Sequence, residues 1–142
     1  MCMAVYIASD FPLPLIQWNK DAPGFHVTEL TTNINDEKVK EQFSKSYIYY
    51  VGAHTGCGCG CGFEYGKYPE YEDNVEESRQ SVIRLAEYLT NALEENEFIE
   101  LFACWEGDQA EKPVKYGTRT PLDLGGDNFW FEEKEFLLVK RN

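Results

Sequence analysis

The sequence predicts an α/β fold, with α+β as the alternative, in a single globular domain over residues 1–142. We expect a mixed sheet of about five to seven strands, one long helix, one short helix and an antiparallel C-terminal part. Three observations predict this class. Short apolar runs rich in β-branched and aromatic residues recur along the chain, and residues 75–96 carry apolar side chains at helical spacing. The chain has the length of one domain, and no repeat or linker divides it.

The first third of the chain predicts two strands and the short helix. Met3–Ala8 is a continuous apolar run and indicates a buried strand. Phe25–Leu30 alternates apolar with polar residues, which predicts a half-buried strand with His26 on its exposed side. Asn35–Asp36 is a helix-capping pair that favours a short surface helix over 35–44. The predicted apolar side of that helix consists of Ile34, Val39 and Phe43.

Between those two strands, residues 11–24 contain three prolines and cannot sustain a helix or a central strand. The segment 11–18 is nonetheless apolar, so we expect it to lie on the domain. An exposed apolar segment of this kind is also a candidate contact for a second copy of the chain or for a protein partner.

The middle of the chain predicts a strand, a loop, the long helix and another strand. Tyr47–Val51 is the strongest strand by composition, and Phe98–Trp105 is a second apolar strand. The helix runs from Val75 to about Asn96, with Asp73–Asn74 as its cap. If the two strands are parallel neighbours joined by this helix, their C-terminal ends meet at one edge of the sheet.

The C-terminal third predicts antiparallel strands. Pro113–Tyr116 and Arg119–Leu124 are short candidates, and Phe129–Val139 is a longer one. The sequence Gly125-Gly126-Asp127-Asn128 favours a hairpin turn, because these residue types tolerate positive φ.

Composition narrows the classes of partner. With 25 acidic and 13 basic residues, the formal net charge is −12, which opposes binding to a phosphate backbone or an anionic lipid surface. The N-terminus lacks a basic leader, and no apolar run reaches the length of a membrane span. We therefore expect a cytoplasmic protein, with neither nucleic acid nor membrane as a partner, whose five cysteines stay reduced.

The most unusual segment follows the strand Tyr47–Val51, and we call residues 54–63 the cysteine loop; its sequence is His54-Thr55-Gly56-Cys57-Gly58-Cys59-Gly60-Cys61-Gly62-Phe63. In a straight strand its cysteines would lie roughly 6.6 Å apart, at about 3.3 Å per residue. Thiolates that share one zinc ion, each about 2.3 Å from it, must lie within roughly 4 Å of one another. The loop must therefore curl to bind one ion, and its glycines permit a curl with positive φ.

A curled loop predicts a transition-metal site, with zinc favoured by thiolate and imidazole donors. Its predicted ligands are the three loop cysteines completed by a fourth donor from the loop or from the end of the next strand: Cys57, Cys59 and Cys61 with His54 or Cys104. Asp10 and Glu106 join the same edge only if the first strand is also parallel.

Two other functions compete with metal binding. A loop cysteine activated by exposed backbone N–H groups and by His54 would suit a thiol-dependent redox protein or enzyme, in which a Cys57–Cys61 disulfide is sterically easier than one between nearer cysteines. Alternatively, the chain is a protein-interaction module with no chemistry. Phosphate binding is not expected, because Gly66-Lys67 is followed by Tyr68 where a P-loop needs Ser or Thr.

Cys2 is interpreted separately from the loop. If Met1 is removed, Cys2 becomes an N-terminal thiol before a buried strand, which resembles the start of the N-terminal-nucleophile amidohydrolases. The resemblance covers two or three residues, and Met3 stands where the glutamine amidotransferases carry glycine. That resemblance implies a nucleophile whose base is its own α-amine.

Overall fold

The computed structural model describes residues 2–62 and 75–142, and these residues hold one six-stranded sheet with helices on both faces. The strand order is β2-β3-β1-β4-β6-β5, and all neighbours are antiparallel except β5 and β6. This mixed sheet confirms the predicted α/β class. In chain order the elements are β1 (Met3–Ser9), β2 (His26–Glu29), α1 (Ile34–Val39), β3 (Tyr47–Gly52), α2 (Val75–Ala92), β4 (Phe98–Trp105), β5 (Lys115–Arg119), α3 (Pro121–Leu124) and β6 (Glu135–Lys140).

The two faces of the sheet carry separate apolar clusters because side chains alternate along each strand. Helices α2 and α3 cover the larger cluster, to which α2 contributes Val82, Leu85 and Leu89. Helix α1 covers the smaller one, which contains Ala4, Tyr6, Val39, Phe102 and Cys104. Strand β1 lies between both layers, and all seven of its residues are buried.

The central position of β1 corrects the predicted crossover. Strands β3 and β4 do run in the same direction, since each is antiparallel to β1, but β1 lies between them and they are not neighbours. A fully buried strand satisfies its backbone N–H and C=O groups by pairing on both sides. This pairing decides the order of the sheet.

The beginning of β1 and the ends of β3 and β4 consequently lie at the same end of the strands, and we call this border of the sheet the cysteine edge. Cys2 lies there, and its carbonyl accepts the backbone N–H of Glu106 at 2.7 Å. Asp10 follows the other end of β1 and pairs with Lys45. Of the two acids considered for this edge, only Glu106 reaches it, because β1 is antiparallel rather than parallel.

The predicted C-terminal hairpin is wrong. Strand β6 is antiparallel to β4, as expected for this part, but β5 is parallel to β6 and connects to it through α3. The reason is a helix start at Thr120, whose side chain accepts the N–H of Asp123 while the Asp123 side chain accepts that of Thr120. Pro121 fits the first helical turn, so the predicted strand Arg119–Leu124 becomes a helix instead.

The helices near the predicted ranges differ from them at their ends. Helix α1 starts two residues early, because Asn33 and not Asn35 caps it by accepting the N–H of Asp36 at 2.9 Å. Ile34 is 69% exposed and does not join the predicted apolar side, whereas Val39 is buried. Helix α2 ends at Ala92. The predicted cap Asp73–Asn74 lies outside the described residues.

Residues 11–18 run along the outer edge of the sheet, where Ile16 forms a single antiparallel bridge with Val27 of β2. Four of their large apolar side chains are exposed, namely Phe11, Leu15, Ile16 and Trp18. The predicted contact with a partner or a second copy stays a prediction.

Within the described part of the chain, no helix has the length and apolarity needed to cross a bilayer.

Candidate metal site

The predicted curl of the cysteine loop is present as a 3₁₀ turn, Gly58–Cys61, which begins six residues after β3 ends at Gly52. Gly56 (φ 82°) precedes the turn and Gly62 (φ 79°) ends it, both in the left-handed region that favours glycine. The backbone N–H of Ala53 donates to the carbonyl of Cys57 at 3.0 Å and closes the loop back onto the strand. Phe63 lies outside the described residues.

Gly58 fixes this turn against the sheet for a different reason. A Cβ atom there would lie 2.9 Å from the carbonyl oxygen of Met3 and 3.1 Å from the Cα of Ala4. Its N–H donates to the Tyr50 hydroxyl at 2.9 Å. Only a residue without a side chain allows the turn to approach the backbone of β1 this closely, so the turn is held beside the N-terminal end of that strand.

That approach brings three thiols together: the Sγ atoms of Cys2, Cys57 and Cys59 all lie within 4.8 Å of one another. Sulfur atoms bound to one zinc ion at about 2.3 Å in tetrahedral geometry are roughly 3.8 Å apart. The three thiols are therefore close enough to hold a metal ion. Cys2 is exposed and the other two are half-buried, so the group opens toward solvent, and all three cysteines are free thiols.

The pKa values of the two loop thiols in this group, Cys57 and Cys59, shift in opposite directions. Burial raises the pKa of Cys57, but hydrogen bonds from the Thr55 hydroxyl, the Cys59 N–H and the neighbouring thiols outweigh it, so the pKa falls below its ordinary value. Burial raises the pKa of Cys59 to about 12, although the N–H of Met3 donates to its sulfur at 3.1 Å. Of these two loop thiols, Cys57 is thus the one that ionises first.

Two predicted ligands lie away from this group, on opposite faces of the sheet. Cys61 is buried in the core cluster beneath α2, and Cys104 is buried in the cluster beneath α1. Burial raises the pKa of each thiol to about 12, as expected for cysteines that pack as small apolar side chains. With Cys61 in the core, the structure does not favour the predicted Cys57–Cys61 disulfide.

His54 is also outside the three-thiol group. Its ring packs beside Gly60, where a Cβ atom would lie 3.0 Å from Cε1. Its Nδ1 atom is buried and has no hydrogen-bond partner among the described residues. The side chain borders a separate cavity of about 470 Å³ beside the first turns of α2.

The residue that sequence reasoning missed is Cys2. Its sequence position suggested an N-terminal nucleophile, and nothing in a linear pattern links it to cysteines more than fifty positions away. The antiparallel pairing of β1 with β3 supplies that link, since Val5 lies opposite Val51 and the residues before Met3 therefore face the loop.

The fold and the three-thiol group together define a small α/β protein with a candidate metal site at a sheet edge. Comparison of the chain with models of protein families, with curated proteins and with solved structures finds no match in any of the three.

Proposed function

We propose that this protein binds one transition-metal ion, zinc by preference, through the thiolates of Cys2, Cys57 and Cys59. The observation that carries the proposal is the approach of three sulfur atoms to within 4.8 Å of one another. Of the predicted ligand set, the proposal keeps Cys57 and Cys59. It adds Cys2 and leaves Cys61, His54 and Cys104 outside the coordination sphere.

The donor type supports zinc over the harder ions. Thiolates are soft ligands that favour zinc and Cu(I), whereas magnesium and calcium take oxygen donors. Three sulfur donors leave one position of a tetrahedral zinc ion without a protein ligand. Because the group opens toward solvent, we expect water there, as in zinc sites that exchange a ligand rather than closed structural ones.

The hydrogen bonds around the sulfur atoms also suit a metal site. The Met3 N–H points at Cys59 Sγ, and the Thr55 hydroxyl lies 3.5 Å from Cys57 Sγ. Donors of this kind orient thiolate ligands and stabilise their negative charge. They come from β1 and from the loop itself, so the geometry is tied to the sheet.

The same features support a second function, a thiol-dependent redox protein. Its specific support is the lowered pKa of Cys57, because a thiolate is the reactive form of cysteine. Cys2 and Cys59 are then the nearest thiols with which an oxidised Cys57 would form a disulfide. Metal content separates this function from the first.

Native mass spectrometry of the untagged chain, purified in reductant and without chelator, tests the proposal. We expect the mass of one zinc ion per chain, and its loss in Cys2→Ser, Cys57→Ser and Cys59→Ser. The matched controls Cys61→Ala and Cys104→Ala replace cysteines that lie in the two apolar clusters, so both variants should keep the ion.

Two outcomes would contradict metal binding at this site. One is a metal-free chain, still metal-free after incubation with zinc, whose Cys2, Cys57 and Cys59 react freely with a thiol reagent; that result favours the redox function. The other is loss of zinc from Cys61→Ala or Cys104→Ala while both variants remain folded by circular dichroism, which would restore the predicted ligand set.

A further inference from the structure

A cavity of about 330 Å³ lies at the cysteine edge, on the face of the sheet that α1 covers. Its position follows from register: His26 and Thr28 of β2 lie opposite Gly52 and Tyr50 of β3, so all four residues share this face. The lining residues are Trp18, His26, Thr28, Glu29, Thr31, Asn33, Asp36, Tyr50, Gly56 and Glu106.

One part of the wall is already fully hydrogen-bonded. The carboxylate of Asp36 accepts the Tyr6 hydroxyl at 2.9 Å, and it accepts both the N–H and the hydroxyl of Thr31 at 2.7 and 2.8 Å. Asn33 in turn donates its side-chain amide to Thr31 and accepts the N–H of Asp36. These groups are held in place by their mutual hydrogen bonds and have little hydrogen-bonding capacity left for a ligand.

His26 supplies the clearest free acceptor. The sequence predicted an exposed side chain, but the residue is only 3% exposed, because Gly52 leaves space for the ring: a Cβ atom on Gly52 would lie 2.0 Å from Nε2. The Nδ1 atom faces the carbonyl of Gly24 at 3.1 Å and therefore carries the proton. In that tautomer Nε2 is an acceptor, and it has no hydrogen bond to any described residue.

Carboxylates add acceptor capacity at the other side of the cavity. Glu106 receives the side-chain amides of Asn35 and Gln109 on Oε2 alone, at 3.2 and 2.8 Å, which leaves Oε1 free. Glu29 is also one of the residues that line this cavity. Among the described residues, no lysine or arginine lines this cavity to balance these charges.

The remaining wall is aromatic. The indole of Trp18 lies against Gly56, with Cε2 at 3.6 Å from the position of a Cβ atom there, and Tyr50 forms part of the wall. Aromatic faces attract cations, and carboxylates beside them add to that attraction. The volume is at the lower end for ligand pockets, so it suits a small molecule.

We propose that this cavity binds a small organic cation, a primary ammonium group on a short aliphatic chain. The ammonium donates to Glu106 Oε1 and to His26 Nε2, and the aliphatic part lies against Trp18. A primary ammonium has three donors and no acceptor, which matches a wall that offers acceptors. The site does not need the metal ion, although both share the cysteine edge.

Two-dimensional NMR of the full chain with n-butylamine, which is cationic at neutral pH, tests this proposal. We expect saturable shifts of the Trp18 indole N–H and of the Thr28 and Gly56 amides. We expect none with n-butanol, which has the same shape without the charge. Glu106→Gln should weaken binding by about tenfold, the effect of losing one charge-assisted hydrogen bond.

Glu87→Gln is the matched control, since it removes the same charge from an exposed position on α2 that does not line the cavity. It should bind n-butylamine as the unchanged protein does. The proposal is overturned if n-butylamine gives no saturable shift at these three positions, if n-butanol shifts them equally, or if Glu106→Gln and Glu87→Gln bind with the same affinity.

Discussion

Cysteines two positions apart have different roles here, because each is defined by what its side chain meets. Cys57 and Cys59 meet Cys2 at the open edge of the sheet, whereas Cys61 enters the core beneath α2. The glycines next to these cysteines differ as well. Gly56 supplies a positive φ, and Gly58 supplies a close approach to the backbone of β1.

At the scale of single residues, Gly58→Ala tests that close approach. The added methyl group meets backbone atoms that cannot move away independently, so we expect the free energy of unfolding to fall by about 1–3 kcal/mol. Urea unfolding followed by circular dichroism measures the change. Gly24→Ala is the control, because nothing lies within 4 Å of its Cβ position, and it should stay within about 0.5 kcal/mol. Equal effects of the two substitutions would contradict the packing described for Gly58.

Glu135 provides a pH-dependent test. Its side chain is buried, and burial raises the pKa of its carboxyl above the ordinary value of 4.5, although the Glu132 N–H and Lys115 oppose the shift. The native state therefore retains the proton to a higher pH than the unfolded chain. The contribution of Glu135 to stability is present below its unfolded pKa and is lost as the pH rises through the raised folded pKa.

Glu135→Gln stays neutral at every pH, so its stability relative to the unchanged chain should increase from pH 4 to pH 7.5. Urea unfolding of both proteins at the two pH values gives the comparison. A difference in free energy of unfolding that is the same at both pH values would show that the native carboxyl has no raised pKa.

At the scale of elements, strands β1 to β4 and the long helix follow closely from the sequence, because their apolar patterns are regular. Strand β4 has the predicted ends, and α2 begins at the predicted residue. The predicted C-terminal hairpin is wrong because residues 121–124 form a helix capped by Thr120, and four residues are too few to show helical periodicity in the sequence. Short elements depend on their capping residues more than on periodicity.

The apolar face of α2 should carry much of the stability of the larger core. Leu89 is fully buried there, and Leu89→Ala should lower the free energy of unfolding by about 2–5 kcal/mol, through lost burial and the cavity left behind. Thermal and urea unfolding check this expectation. Glu87→Ala, at an exposed position on the same helix, should have almost no effect; a comparable loss from both would contradict the orientation of α2 on the sheet.

At the scale of the whole molecule, the strand order determines which residues come together at the candidate site, and the sequence alone does not predict that order. The loop, its curl and two of the three clustered thiols were predicted from residue type and spacing. Cys2 was not, because its place depends on β1 inserting antiparallel between β3 and β4. The same insertion places Asp10 at the far end of the strands. Side-chain alternation along β4 places Cys104 opposite Ala4 in the cluster beneath α1, outside the three-thiol group.

The coordination of zinc by three sulfur atoms is the central claim, and X-ray absorption at the zinc edge of the untagged, zinc-loaded chain tests it most directly. We predict three sulfur scatterers at about 2.3 Å and one nitrogen or oxygen scatterer at about 2.0–2.1 Å, the shell expected for Cys2, Cys57, Cys59 and water. A first shell made mainly of nitrogen and oxygen, or one of four sulfur atoms, would contradict the site described here.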